Sequence, residues 1–181
     1  MQTSVERTTT DPPLLAEELA AWQAFLRAHT VITRALERQL IAAHRLPLAE
    51  YDVLVQLRGA EGGALRMAQL ADRVLLSRSG LTRLVERLER NGLVHRQACP
   101  SDARGAYAVI TESGRELLEA ASPGHLQAVH AHFVEPLARS QIEPLQHALE
   151  QLVAAVPQEC ASALSDAELE EAAAGQGDLS Q

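Results

Sequence analysis

The sequence predicts a mainly α-helical fold with one small β element, and three observations support this prediction. Apolar residues recur every three or four positions over long Ala- and Leu-rich stretches, which is the period of an amphipathic helix. Only 3% of the 181 residues are aromatic. Two short runs rich in Val, Ile and Tyr, separated by turn-forming residues, predict one β-hairpin. A chain of this length is expected to form one domain, or one domain with an extension.

The N-terminal third predicts two helices. The first runs from Leu14 to about Ala43, before Pro47, which cannot continue a helix. Its apolar stripe, at three- and four-residue steps, consists of Leu15, Leu19, Trp22, Leu26, His29, Ile32, Leu36 and Leu40. A second helix is predicted from Leu48 to about Gly59.

Two further helices follow with a very short connection between them. The segment 66–75 has apolar residues at helical spacing, namely Met67, Leu70, Ala71 and Val74. The next helix is predicted from Arg78 to Arg90, because Ser77 can cap its free N–H groups and Asn91-Gly92 tolerates the positive φ that ends helices. Helices joined this closely must cross steeply, as in a helix-turn-helix unit.

The helix 78–90 has two chemically different faces. One face is apolar and consists of Leu81, Leu84, Val85 and Leu88; the other carries Ser79, Thr82, Arg83, Glu86 and Arg90. Hydroxyl and guanidinium groups suit phosphate oxygens and the acceptors of guanine in a major groove. The alternative is a solvated, salt-bridged surface, since Glu86 and Arg90 are spaced i and i+4.

A β-hairpin is predicted directly after this helix. Its strands are Leu93 to Ala98 and Ala106 to Thr111, and the turn residues 99–105 connect them. A hairpin beside such a helix is a wing.

The C-terminal half predicts two more helices. Thr111 can cap a long helix that Pro123-Gly124 must bend or interrupt, and its stripe continues through Leu126, Val129, Phe133 and Leu137. Ser140 and Glu143 suggest a capping box for the last helix. Its apolar residues are Ile142, Leu145, Leu149, Leu152 and Val156. Three helices, the first and the last two, lie outside the unit of closely joined helices and hairpin. They expose more apolar stripe than that unit can cover, which predicts a dimer.

The run LSRSGLTRLVERLERNGLV, the hairpin SDARGAYAVIT and the TESG opening of the next helix resemble the MarR family of winged-helix transcription regulators. The resemblance covers roughly residues 14 to 156. It implies that Ala64-Leu65-Arg66 is the first strand of the wing sheet. It also implies a two-fold homodimer whose recognition helices enter successive major grooves of a pseudo-palindromic operator. A small-molecule effector between the dimer helices and the DNA-binding domain is a further implication.

We therefore expect a winged helix-turn-helix domain with N- and C-terminal dimerisation helices. The expected segments are a flexible arm (1–13), a dimerisation helix (14–46), the DNA-binding domain (47–111), C-terminal dimerisation helices (112–156) and an acidic, partly disordered tail (157–181).

The charge of the chain is unevenly distributed. The net charge is −8 and the pI is about 5.3, which is unusual for a nucleic-acid binder. Between Arg73 and Arg104, however, seven arginines face three acidic residues, a net charge of +4. From Glu112 to the end, two arginines face twelve acidic residues, a net charge of −10. A local basic patch on an acidic body can still bind phosphate.

Double-stranded DNA is therefore the expected partner, besides a second copy of the chain. The expected DNA contacts are Ser77, Arg78, Ser79, Thr82, Arg83 and Arg87 in the major groove, and Arg104, braced by Asp102, at the minor groove or its phosphates. The alternative is a protein-docking module that uses the acidic C-terminal region and the face of helix 78–90. Its binding would ignore DNA and persist in salt.

The candidate effector contacts are polar or aromatic groups on otherwise apolar stripes, namely Trp22, Phe25, His29, Tyr51 and Asp52. For the two aromatic residues of the first helix, dimer or core packing is the favoured interpretation. His29 is more easily explained as a hydrogen-bonded interface histidine. Asp52 fits an exposed or capping carboxylate equally well.

Other functional classes find little support in the sequence. His125, His130 and His132 lack the i, i+4 pairing with a nearby Glu that helical zinc sites use, so we expect neither metal nor cofactor. There is no Gly-rich phosphate loop or nucleophile elbow, and we expect no enzyme. Cys99 and Cys160 form no disulfide framework, and Cys99 is interpreted as an ordinary strand residue. Without a long apolar segment or a signal peptide, we expect a cytoplasmic protein with no membrane partner.

Overall fold

The elements of the fold follow the predicted order. The structure is a computed structural model that describes residues 14–74, 76–99 and 102–156, without the side chains of residues 99 and 102–105. Its helices are α1 (Ala16–His44), α2 (Leu48–Arg58), α3 (Met67–Val74), α4 (Arg78–Arg90), α5 (Glu112–Val129) and α6 (Arg139–Ala155). Its strands are β1 (Ala64–Arg66), β2 (Val94–Cys99) and β3 (Asp102–Ile110). The predicted fold class, mainly α with a small β wing, is confirmed.

The three strands form an antiparallel sheet in the order β1-β3-β2. Leu65 pairs with Ala108 on one side of β3, and Arg96 pairs with Ala108 on the other. The sheet packs with α2, α3, α4 and α5 around one apolar core. The largest fully buried side chains of that core are Leu40, Leu46, Leu54, Leu57, Leu70, Leu81 and Leu88.

The end of α4 and the start of α5 are tied together by Thr111. Gly92, at φ +72°, reverses the chain after α4, and the N–H of Leu93 donates to the carbonyl of Leu88 at 3.0 Å, the pattern of a Schellman cap. The Thr111 hydroxyl donates to the carbonyl of Gly92 at 2.7 Å and accepts from the N–H of Gly114 at 3.1 Å. One side chain therefore caps α5 and fixes it to the loop after α4.

The hairpin is tighter than predicted. Strand β3 begins at Asp102 instead of Ala106, because the register shifts between Ala98 and Cys99 and pairing continues beyond the shift. The turn-forming residue types at 99–105 therefore predict a longer loop than the structure has.

Pro123 does not interrupt the fifth helix, so of the two predicted outcomes, a bend or an interruption, the interruption is wrong. Helix α5 continues through Pro123 to Val129, and the irregularity lies later, where His130–Val134 form a π-helical turn. In that turn the N–H of Glu135 donates to the carbonyl of His130 at 2.8 Å. A proline inside a helix removes one backbone donor and crowds the carbonyl four residues earlier, and the packing of α5 against α1 and α2 offsets this cost.

The predicted capping box of the last helix is also wrong. Helix α6 begins at Arg139, before Ser140, and the side chain of Gln141 accepts from the N–H of Ala138 at 2.9 Å. The helix therefore starts earlier than Ser140 and Glu143 suggest. Within the described residues, no helix is long and apolar enough to span a membrane.

Replacing Gly114 by Ala should destabilise the protein. A Cβ atom at this position would overlap the backbone carbonyl of Leu93 and lie 2.9 Å from Cγ1 of Ile110. Because backbone cannot move aside cheaply, we expect a loss of about 1–3 kcal/mol of unfolding free energy. Urea denaturation at fixed protein concentration measures it. Ser113→Ala, an exposed change one residue earlier, is the control and should have little effect; equal stabilities of the two variants would contradict the close packing at Gly114.

Candidate nucleic-acid interface

The exposed face of α4 is the candidate site. Its apolar side chains Leu81, Leu84, Val85 and Leu88 are all buried, as the spacing predicts. Arg78, Ser79 and Arg83 are exposed on the opposite side, and Thr82 is half-buried beside them. The helix therefore presents two guanidinium groups and two hydroxyls together on its first two turns.

Ser77 does not belong to this exposed face. Its side chain is 1% exposed and accepts a hydrogen bond from the N–H of Gly80 at 3.0 Å, so it is the N-cap of α4. The structure therefore gives Ser77 a capping role, and a direct DNA contact at Ser77 stays a prediction. Its hydroxyl lies 3.2 Å from that of Ser79.

The hydroxyl of Thr82 is directed back to its own helix. It donates to the carbonyl of Arg78 at 2.8 Å. Its oxygen keeps an acceptor position, while its donor is already used within the helix.

Arg87 lies at the edge of the exposed face, in the last turn of α4. Its Nε donates to Oε1 of Glu50 on α2, and this carboxylate is 3% exposed. The Arg87 side chain is nevertheless 47% exposed. Arg87, which the sequence predicts as a DNA contact, therefore also forms an ion pair with a buried residue of the domain.

The wing is tied to α4 by another group of charges. Arg96 on β2 donates through its backbone N–H to Glu89 at 3.1 Å and through Nε to the same carboxylate at 2.9 Å. These hydrogen bonds lower the pKa of Glu89, and the one from the backbone N–H has the larger effect. Glu86 also lies 3.7 Å from Arg96, instead of forming the i, i+4 pair with Arg90. The charged groups of α4 therefore orient the wing strand.

Three residues of the predicted wing have side chains outside the described part of the structure. The side chains of Asp102 and Arg104 lie outside the described part of the structure, and so does that of Cys99. Only the backbone of β3 shows that both residues sit at the start of that strand.

The five candidate effector residues occupy three separate places. On α1, the rings of Trp22 and Phe25 stack at 5.9 Å, and those of Phe25 and His29 at 6.4 Å. Phe25 and His29, without Trp22, line a groove of about 490 Å³ between α1 and α6. The predicted residues therefore do not converge on one cavity within the chain.

The other two candidates lie on α2. Tyr51 is 6% exposed, and its hydroxyl donates to the Ser122 hydroxyl at 3.3 Å. Asp52 is on the surface of the chain, where partial desolvation by its neighbours and, to a smaller extent, the negative charge of Glu37 raise its pKa.

Sequence reasoning missed two buried polar groups, Glu50 and His125. Glu50 lies on the buried stripe of α2 with Val53, Leu54 and Leu57, and a charge on such a stripe is a signal for a buried ion pair. His125 is 8% exposed, and its ring centroid lies 4.3 Å from that of Tyr51. Its Nδ1 has no hydrogen-bond partner among the described residues. Desolvation lowers its pKa.

A capped helix with a basic outer face, next to a three-stranded wing sheet, defines a winged helix-turn-helix protein. A profile of the MarR family matches residues 44–105. The HTH-type transcriptional regulator MhqR of Bacillus subtilis is 32% identical over 103 residues, which cover 57% of this chain and 69% of MhqR. The chain belongs to the MarR family of transcriptional regulators.

Two further comparisons differ in extent. YkoM, an HTH-type transcriptional regulator of Bacillus subtilis, is 36% identical over 71 residues, 39% of this chain and less than half (46%) of YkoM. Sco3205, a MarR family transcriptional regulator of Streptomyces coelicolor solved in complex with DNA, is 36% identical with a TM-score of 0.76. That match covers 79% of this chain and 90% of Sco3205. Because these relatives are regulators, family membership confirms that the chain is not an enzyme.

His125 should make stability depend on pH. Its folded-state pKa is lowered, so on acidification the unfolded chain takes up a proton before the native state does. Unfolding free energy should therefore fall as pH drops from about 7 through the ordinary histidine value of about 6.5 towards about 5. Urea denaturation across this range should show a shallower pH slope for His125→Asn.

The control for this slope is Gln127→Asn, which changes an exposed side chain without a titratable group on the same helix. It should keep the pH slope of the wild type. A His125→Asn slope equal to that of the wild type would contradict a buried, neutral His125.

Proposed function

We propose that the protein is a homodimeric, DNA-binding transcriptional repressor that a small-molecule effector releases from a pseudo-palindromic operator. In this proposal α4 enters the major groove and the wing, the β2–β3 hairpin, lies at the minor groove. The observation that carries it is the division of α4 into a fully buried apolar face and an exposed face with Arg78, Ser79 and Arg83. N-terminal residues of a recognition helix are those that contact base edges.

The contacts divide into two kinds in this proposal. Arg83 donates to a guanine edge, since its guanidinium can form two parallel hydrogen bonds with N7 and O6. Arg78, Ser79, Thr82 and Arg87 contact phosphates or neighbouring bases, and Arg104, oriented by Asp102, contacts the minor groove or its phosphates. The DNA complex of the related Sco3205 supports this class of partner.

The proposed dimer accounts for the exposed apolar side chains of the terminal helices. Helix α6 has no buried residue, and Val153 on it is 65% exposed. On α1, Trp22 is 52% and Phe25 is 41% exposed. Apolar surface on two neighbouring helices is best covered by a second copy, because a two-fold interface pairs the same patch on both subunits. Residues 14–46 and 112–156 are the proposed dimerisation segments around the DNA-binding domain 47–111.

The proposed effector acts where these segments meet the DNA-binding domain. Tyr51 on α2 contacts α5 there through His125 and Ser122, so a molecule inserted at this junction would change the position of α2 against α5. Among the other candidates, Asp52 lies near α1, while Trp22, Phe25 and His29 fit the dimer interface better. For DNA affinity to fall, the effector has to bind the conformation with low DNA affinity more tightly than the DNA-binding conformation.

DNA binding is tested by fluorescence anisotropy with the upstream intergenic DNA of the gene and with scrambled DNA, at several salt concentrations. Binding should be tight, selective and steeply weakened by salt, because neutralised phosphates release counterions. Arg83→Ala should reduce the preference for specific over scrambled DNA by about 1–3 kcal/mol.

The matched control is Arg58→Ala. Arg58 is 45% exposed on α2 and pairs with Glu119 on α5 at 3.0 Å, and its loss changes the net charge equally. It should keep the preference between the two DNAs. An equal loss on both DNAs for Arg83→Ala would exclude base contact by Arg83. Binding that ignores DNA and persists in salt would favour the protein-docking alternative.

Dimerisation is tested by sedimentation equilibrium at the concentrations used for DNA binding. The wild type should sediment as a dimer, and Val153→Glu should sediment as a monomer, because the carboxylate would be buried against the partner subunit. Gln151→Glu, on the opposite side of α6, is the control and should remain dimeric. A monomeric wild type would overturn the proposed dimer, and a dimeric Val153→Glu would exclude this face of α6 from the interface.

A further inference from the structure

Glu50 is a buried carboxylate that takes no part in the proposed DNA or effector contacts. It is the third residue of α2 and only 3% exposed, on the same buried face as Val53, Leu54 and Leu57. A carboxylate in such surroundings is costly unless it is paired and hydrogen-bonded. An apolar residue would fill this place on the stripe without that cost.

The partner of Glu50 comes from the recognition helix. Nε of Arg87 donates to Oε1 of Glu50, and the two residues lie 37 positions apart in the sequence. Among the described residues, Arg87 is bonded through its side chain to Glu50 and to no other residue, and the side chain is 47% exposed. The guanidinium is therefore bonded to a buried carboxylate on a side chain that is about half accessible to solvent.

Attachment through Nε determines the direction of the whole guanidinium. The group is planar and its five N–H donors have fixed relative directions, so holding Nε also orients the four terminal donors. A side chain held in this way loses less conformational freedom when it binds an anion.

The position of Arg87 on α4 indicates which part of DNA it meets. It lies in the last turn of the helix, whereas base edges are contacted from the first turns of a recognition helix. The later turns lie beside the sugar–phosphate backbone, and phosphate oxygens match the spacing of two guanidinium donors.

We propose that Glu50 is a positioning residue that holds the Arg87 guanidinium against a DNA phosphate. The proposal rests on the proposed function, in which α4 enters the major groove. It assigns Arg87 to a phosphate rather than a base, and it makes a residue of α2 part of the DNA-binding surface without touching DNA.

Two explanations predict opposite changes in DNA affinity when Glu50 is lost: electrostatic repulsion of DNA by Glu50, and positioning of Arg87 by Glu50. Removing a negative charge near DNA reduces repulsion and should raise affinity slightly. Removing a positioning group should lower affinity, because Arg87 then has to be ordered when DNA binds. The sign of the change therefore separates the two explanations.

The experiment is a double-mutant cycle with Glu50→Leu and Arg87→Ala, measured by fluorescence anisotropy on specific and scrambled DNA at several salt concentrations. Arg87→Ala should weaken binding to both DNAs equally and reduce the slope of log K against log salt by about one. Glu50→Leu should weaken binding to both DNAs by about threefold to tenfold, in the lower part of the range for coupled pairs, and should cause no further loss in the presence of Arg87→Ala. Urea denaturation checks that each variant is folded.

Glu50→Gln is the conservative variant, because its side-chain oxygen can still accept from Nε of Arg87. It should lose less affinity than Glu50→Leu, and it replaces that variant in the cycle if Glu50→Leu does not fold. Glu119→Gln removes a surface carboxylate that pairs with Arg58 at 3.0 Å, and as the control it should not weaken binding.

Two results would overturn this proposal and leave the proposed function intact. In the first, the wild type binds DNA and Glu50→Leu binds it as well or better. In the second, Glu50→Leu causes the same loss of affinity with and without Arg87→Ala. The second result would mean that Glu50 acts on the whole of α4 and not through Arg87. A wild type without salt-sensitive DNA binding would overturn both this proposal and the proposed function.

Discussion

Burial of one face of α4 is the constraint on which the rest of the domain depends. Its four buried apolar side chains, Leu81, Leu84, Val85 and Leu88, are each at most 5% exposed. At about 1.5–3 kcal/mol for each buried side chain, this face contributes a large share of the net stability of a small domain. Because a helix has a fixed geometry, burying these residues also determines that Arg78 and Arg83 face outward. The basic surface is therefore oriented by the packing of the core.

Features with local causes could be predicted from the sequence. Both ends of α4 are as predicted, because the cap at Ser77 and the positive φ at Gly92 depend on adjacent residues only. Local signals that tertiary packing can override predicted the structure less well. The interruption expected at Pro123 is absent, and β3 starts earlier than its turn residues suggest, since packing and strand pairing outweigh these local preferences.

Partnerships between distant residues could not be predicted in this way. A periodic pattern shows which face of a helix is buried, but not which residue of another element it meets. Glu50 with Arg87 and Tyr51 with His125 are pairs of this kind. The candidate effector residues are dispersed for the same reason: α1 has 29 residues and is about 44 Å long, so a single stripe on it passes several different environments.

The same long-range contacts connect the terminal helices to the recognition helix. Glu37 on α1 accepts a hydrogen bond from the N–H of Leu48 at 2.7 Å, and so holds the first turn of α2. Glu50, two residues further along that turn, is bonded to Arg87 on α4. Because that turn is bonded on both sides, a displacement of α2 together with α1 would also displace the carboxylate that holds Arg87. Glu37 and Glu50 therefore connect α1 to the basic face of α4 through two hydrogen bonds, in addition to the apolar core that these helices share.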